Sequence, residues 1–206
     1  MNETDMPSPV LITTERLYIR EFTKEDVDAV YEYAGDADNC AFMDWAPESR
    51  EGVAAFIDGR LASQIAEPRL TYDLALCLRE SGELIGAMGL FLDNKREQAE
   101  IGWVLNKKYW HMGYASEAAR GFLRFGFMGL DLHRIYAKCD TENRASYSLM
   151  ERLGMRREAR FEKNAHTIVR QRLGWRSTYV YAMLRKEFLN SLSDGEYDPT
   201  NSQFVN

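Results

Sequence analysis

The sequence predicts an α/β (α+β) domain built on a mixed, mostly antiparallel central sheet with helices on both faces. Three observations carry this. The apolar period switches between helical and alternating along the chain, in the order β-α-α-β-β-β-α-β-α-β-β. Two central strands are joined by a tight Ser81-Gly82 turn, which makes that part antiparallel. The later β-α-β-α run brings strands back in parallel, with helices packed over the sheet. At 206 residues, 45% apolar and 28% charged, the chain suits one such domain and buries enough surface to need no staple.

Each element has a local reason. "TERLYIREF" sets Leu17 and Ile19 against Arg16, Tyr18 and Arg20, a strand pattern. "TKEDVDAVYEYAGD" opens on Thr23, carries acids in its first turn, aligns Val27, Val30, Tyr31 and Ala34, and stops near Gly35, a capped helix. "PESREGVAAFIDGRLASQI" repeats Val53, Phe56, Ile57 and Leu61 at helical spacing. "YDLALCLRE" and "ELIGAMGLF" form the hairpin, and "QAEIGWVL" a further strand. "ASEAARGFLRFGFMGL" is a helix, "HRIYAKCD" a strand, and "NRASYSLMERLG" a helix closed by Gly154. "MRREARFEKN" and "TYVYAMLRKEF" alternate as strands. Residues 1–10 are polar, contain proline and read as loose. Residues 11–189 form the domain. Residues 190–206, rich in Ser, Asn, Asp and Gly, read as a mobile tail.

Composition excludes some functions. A formal net charge of −6 argues against a nucleic-acid partner and suits a cationic substrate. Cys40, Cys77 and Cys139 are odd in number and widely spaced, which points to a reducing compartment. His111, His133 and His166 lack metal-ligand spacing, so no metal is expected. No basic-then-apolar leader opens the chain and no run of 18 apolar residues occurs. A cytoplasmic protein without a membrane partner is expected.

One stretch stands apart. In "NKKYWHMGYASEA" a single glycine, Gly113, follows Trp110 and His111 and precedes small residues. Ala115, Ala118, Ala119 and Phe122 share one side of the following helix, with Glu117, Arg120 and Arg124 on the other. Gly113 permits a backbone conformation or a close contact that a Cβ would block. The first amides of a helix lack internal partners and carry partial positive charge, so this loop is suited to a phosphate. Taken alone, one glycine is better explained by a tight strand-to-helix turn with a closely packed first turn. No GK[ST] follows, which excludes an NTP-binding P-loop.

Three segments together, "TERLYIREFTKEDVDAVYEY", "AEIGWVLNKKYWHMGYASEA" and "CDTENRASYSLMERLGMRREAR", resemble the GNAT (Gcn5-related) N-acetyltransferases, in particular the Rim-type ribosomal-protein branch. The resemblance spans roughly residues 11–188. It implies the acyl-CoA N-acyltransferase fold, in which a parallel strand pair splays, and acetyl-CoA as acetyl donor. The pyrophosphate would sit on the amides of His111, Met112, Gly113, Tyr114, Ala115 and Ser116. The pantetheine arm would run beside Trp103, Val104 and Leu105 like an added strand, with Asn143 at its end. A main-chain N–H near Val104 would polarise the thioester carbonyl. Trp110 stands where the family carries Arg or Gln.

The resemblance also suggests catalytic groups. Glu100 matches the position of a catalytic glutamate in histone-type relatives, with a strand carboxylate in a salt bridge as the plain alternative. The position seven residues after Asn143, where the family often carries a proton-donating Tyr, holds Met150, so Ser146 is the preferred acid and Tyr147 the second choice. Ser177 replaces a common acidic residue. Trp45 falls where such enzymes build the acceptor pocket, and Cys139 reads as packing. The implied reaction is direct attack by a primary amine, most simply a protein N-terminal amine. A polyamine, amino sugar or antibiotic is the alternative acceptor, and a non-catalytic acyl-CoA-binding module the alternative function. Dimers are common in such enzymes, so a homodimer stays open.

Overall fold

A computed structural model of the chain describes residues 10–43, 46–47, 49–169, 172–193 and 202–205. The elements are β1 (Leu11–Thr14), β2 (Leu17–Arg20), α1 (Val27–Ala34), α2 (Arg50–Gln64), β3 (Thr71–Leu78), β4 (Leu84–Leu92) and β5 (Gln98–Leu105). They continue as α3 (Tyr114–Arg124), β6 (Arg134–Asp140), α4 (Arg144–Arg152), β7 (Arg156–Val169), β8 (Arg172–Leu184), α5 (Arg185–Ser193) and β9 (Ser202–Val205). The sheet order is β7-β8-β6-β5-β4-β3-β2-β1-β9. All pairings are antiparallel except β5 with β6.

The strands alternate between two cores. Leu74, Leu76, Met88, Leu90 and Ile101 pack with Ala118, Ala119 and Phe122 of α3 and Leu149 and Met150 of α4. Ala75, Cys77 and Ala87 pack on the opposite side with Val30, Tyr33 and Ala34 of α1 and Val53 and Ile57 of α2. Period-two side chains therefore place α3 and α4 on one face and α1 and α2 on the other.

The splay is visible in the register. β5 and β6 pair only at Gln98↔Arg134, Ala99↔Ile135 and Glu100↔Tyr136. Beyond them β5 stays with β4 as far as Leu105, and β6 stays with β8 as far as Asp140. Each strand keeps an antiparallel partner on its outer edge, so the parallel pair opens without dissolving the sheet.

Three boundaries differ from the sequence reading. The first strand is a hairpin: β1 pairs with β2 around Thr14–Leu17, and four residues of "LITT" are too few to show a period alone. "RKEF" turns into α5 instead of prolonging β8, with Phe188 fully buried. The domain was expected to stop at 189, yet α5 reaches Ser193, and Ser202–Val205 pair with β1 at the sheet edge. That pairing is made by a partner nearly 200 positions away, which no local pattern reveals.

Candidate active site

The strand gap opens into a cavity of about 1210 Å³. It is bounded by Trp103, Val104 and Leu105 of β5, by the loop carrying His111, Gly113 and Tyr114, and by Asn143 and Ser146 of α4. It continues onto the α1/α2 face to Tyr33, Phe56, Arg60, Asp73 and Phe91. Of the residues expected to hold the cofactor, all but Met112 line this space. Met112 contributes its carbonyl instead, which accepts from Arg16 Nη1 at 3.0 Å.

The loop has the backbone that the glycine suggested. Gly113 sits at φ 84° as the residue before α3, and His111 is also left-handed at 63°. The first helical hydrogen bond of α3 runs from Glu117 N to Gly113 O, so the amides of Tyr114, Ala115 and Ser116 precede the ladder. Trp110 has a clear purpose: its Nε1–H donates to Leu105 O at 2.8 Å and ties the loop back to the end of β5.

Arg16 was not singled out from the sequence. Its Nε pairs with Glu117 at 2.7 Å, its main-chain N–H donates to Glu117 Oε1, and its guanidinium lies 4.5 Å over Tyr114. Thr14 Oγ1 donates to the same carboxylate at 2.5 Å. Glu117 is thus clamped to the β1–β2 turn and does not stand on an open helix face. A Cβ on Gly113 would meet Arg16 Nη2 at 3.3 Å. Arg16→Ala is expected to loosen the loop and weaken coenzyme A binding about threefold by titration calorimetry. The effect is small because the arginine is partly exposed.

Hydrogen-bond alternation decides which groups of β5 face the gap. Asn106 N donates to Ile85 O, so Gly86 and Leu105 form a non-hydrogen-bonded pair, and Ala87 and Val104 form a bonded one. Val104 therefore spends its N–H and C=O on β4. The flanking Trp103 and Leu105 turn theirs into the gap, where Leu105 O already accepts from Trp110 and from Asn39 Nδ2. The main-chain donor expected near Val104 is thus that of Trp103 or Leu105.

On α4, Asn143 caps the helix by accepting from Ser146 N at 3.1 Å. That uses Oδ1, and Nδ2 has no partner among the described residues. Ser146 lines the cavity, and its Oγ likewise has no partner among the described residues. Tyr147 packs edge-on against Tyr179, outside the cavity lining. Met150 is fully buried in the α3/α4 core, which explains an apolar residue there. Ser177 donates to Glu162 on the β7–β8 hairpin, away from the cavity lining. Trp45 lies outside the described residues.

The remaining ionisable groups divide clearly. Glu100 pairs at 2.8 Å with Lys138, two residues beyond its rung partner Tyr136 on β6, and this bond raises the Lys138 pKa. Glu100 is directly opposite Phe91, on the α1/α2 face, but outside the cavity lining. Lys107 and Lys108 bind Asp36 and Glu32, tying the loop to the end of α1. Cys139 lines the cavity, but burial pushes its thiol up to about 12, which disfavours a thiolate nucleophile. Among the described residues no group of three or more His, Cys, Asp or Glu could hold a metal ion, and no helix is long and apolar enough to cross a membrane.

Comparison with known proteins agrees with this geometry. Residues 16–156 match the family model described as Acetyltransferase (GNAT) domain. The chain belongs to the GNAT acetyltransferase family. It is 37% identical to the uncharacterized N-acetyltransferase YnaD of Bacillus subtilis over 86% of this chain and 98% of that protein. A GNAT-family acetyltransferase structure from Bacillus anthracis superposes with a TM-score of 0.76 at 35% identity, covering 86% of this chain and 99% of the other. The ribosomal L7/L12 alpha-N-protein acetyltransferase RimL shares the fold, with a TM-score of 0.73 at 18% identity over 85% of this chain and 94% of its own. This GNAT member is an N-acetyltransferase. The non-catalytic alternative rested on Met150 and Ser177, and both residues lie away from the cavity.

Proposed function

We propose that this acetyltransferase moves acetyl from acetyl-CoA to a primary amine by direct attack, and that the acceptor is a protein N-terminal amine. The observation carrying this reading is the parting of β5 from β6 after Glu100, with one cavity running through the gap from the α3 N-terminus to the α1/α2 face. Donor and acceptor can then approach from opposite faces.

The residues present fit acetyl-CoA. The amides of His111 to Ser116 would hold its pyrophosphate, and the gap-facing main chain of Trp103 and Leu105 would pair with the amide-rich arm. Asn143 Nδ2 would donate to the end of that arm. When bound, acetyl-CoA supplies an activated acetyl group and a thiolate as leaving group. A gap-facing amide of β5 would polarise the thioester carbonyl. Glu100 would take a proton from the incoming ammonium, which is mostly charged at neutral pH. Ser146 Oγ would pass on to the departing thiolate a proton released by the attacking nitrogen, so the hydroxyl ends the step as it began. Domain limits of about 11–189 plus the β9 edge strand and a cytoplasmic location complete the proposal.

RimL, a protein N-terminal acetyltransferase by name, supports this acceptor only through its shared fold. Polyamines, amino sugars and antibiotics are the competing acceptors. The test is thiol release from acetyl-CoA with peptides bearing free N-termini, beside polyamines and aminoglycosides. Peptides are expected to be turned over with the highest kcat/KM. Turnover confined to small amines would sink the protein-acceptor assignment.

A further inference from the structure

The acceptor end of the cavity contains an ion pair that the proposed chemistry does not use. Arg60 of α2 donates through Nε to Asp73 Oδ2 of β3 at 2.6 Å, and its guanidinium lies 4.3 Å over Phe56. Both residues line the cavity. The two Nη groups of Arg60 have no hydrogen-bond partner among the described residues, and neither has Asp73 Oδ1. None of these atoms is sealed from solvent. Burial also pushes the Asp73 carboxyl up, against the opposing pull of Arg60.

An arginine fork with spare donors beside a carboxylate with a spare acceptor is complementary to a peptide unit, which offers one C=O and one N–H. A polyamine offers no oxygen. Geometry narrows the ligand further. Asp73, Gly89 and Gly102 are directly opposite one another on β3, β4 and β5, so Asp73 stands two strand spacings, roughly 10 Å, from the strand at the gap. The Phe91 ring lies over both glycines and forms the floor between: a Cβ on Gly89 would meet it at 2.9 Å and one on Gly102 at 3.5 Å. An extended chain advances about 3.3 Å per residue, so about three residues span that floor.

We propose that Arg60 and Asp73 read the main chain of an extended peptide acceptor near its third residue, Arg60 donating to a carbonyl and Asp73 accepting an amide N–H. This rests on the amine-acceptor reading above and specifies its substrate class. The experiment measures KM for peptide amides of one to four residues sharing the same first residue, with a polyamine as the oxygen-free control. In the wild type KM is expected to fall about fivefold between one and three residues, the value of roughly one net hydrogen bond, and to change little at four. In Arg60→Met that ratio should collapse towards one. Arg60→Lys keeps the charge beside Asp73 but has no second donor arm, and should lose most of the ratio as well.

A wild-type KM independent of length overturns the proposal, as does a full wild-type ratio in Arg60→Lys. Turnover of the polyamine alone overturns it while leaving acetyl transfer intact. If no amine is turned over, the functional reading fails separately. Calorimetry with coenzyme A-loaded protein then decides the inference: tripeptide and one-residue amide binding equally would overturn it.

Discussion

Glu100→Gln is expected to lower kcat/KM for a peptide amine by about 100-fold at pH 7, within the usual range for loss of a general base. The deficit should shrink as pH rises towards 9, because an amine with a pKa near 8–10 then arrives neutral without help. The ion pair with Lys138 supplies the control. Lys138→Met removes the partner but keeps the carboxylate, so it should keep most of the rate. If Glu100 acts only as the other half of a strand salt bridge, both variants lose equally little, and the glutamine variant keeps full rate from pH 6 to 9. A pH–rate profile of the three proteins separates these outcomes.

Gly113→Val should weaken coenzyme A binding more than tenfold, equivalent to more than about 1.4 kcal/mol. Two effects combine. The residue sits at φ 84°, where a β-branched side chain costs of order 1–3 kcal/mol. A Cβ there would also press on Nη2 of Arg16, the residue whose Nε holds Glu117 at the start of α3. The sequence suggested that a side chain would block phosphate approach. The nearest neighbour is Arg16, so the damage is expected through a displaced loop. Gly113→Asn tolerates the left-handed backbone better and should lose less. Equal affinity in wild type and valine variant, measured by calorimetry, would remove the cradle from the functional reading.

Much of the architecture was legible locally. The helical spacing of Val53 and Ile57, the alternation through Leu74 and Leu76, and the small first turn of α3 each state which side is buried. Gly113 was legible because left-handed backbone before a helix needs a residue without a Cβ. Other features escaped because their signal is not in neighbouring positions. The clamp from Arg16 to Glu117 joins residues 101 apart in sequence. Met150 looked like a missing proton donor, yet the α3/α4 core surrounds it entirely. Trp110 looked anomalous until its indole reached Leu105 O.

The sequence by itself determined the elements from β2 to β8, the apolar faces of their helices and the need for a glycine before α3, because each depends on the backbone and side chains within a few residues; β1, α5 and β9 were not among them. Only the tertiary structure decided that β5 leaves β6 after Glu100, that the main-chain groups of Trp103 and Leu105 rather than those of Val104 turn to the gap, and that Arg60 meets Asp73. These depend on strand register and on which helix packs over which strand, and register is set by the whole sheet at once.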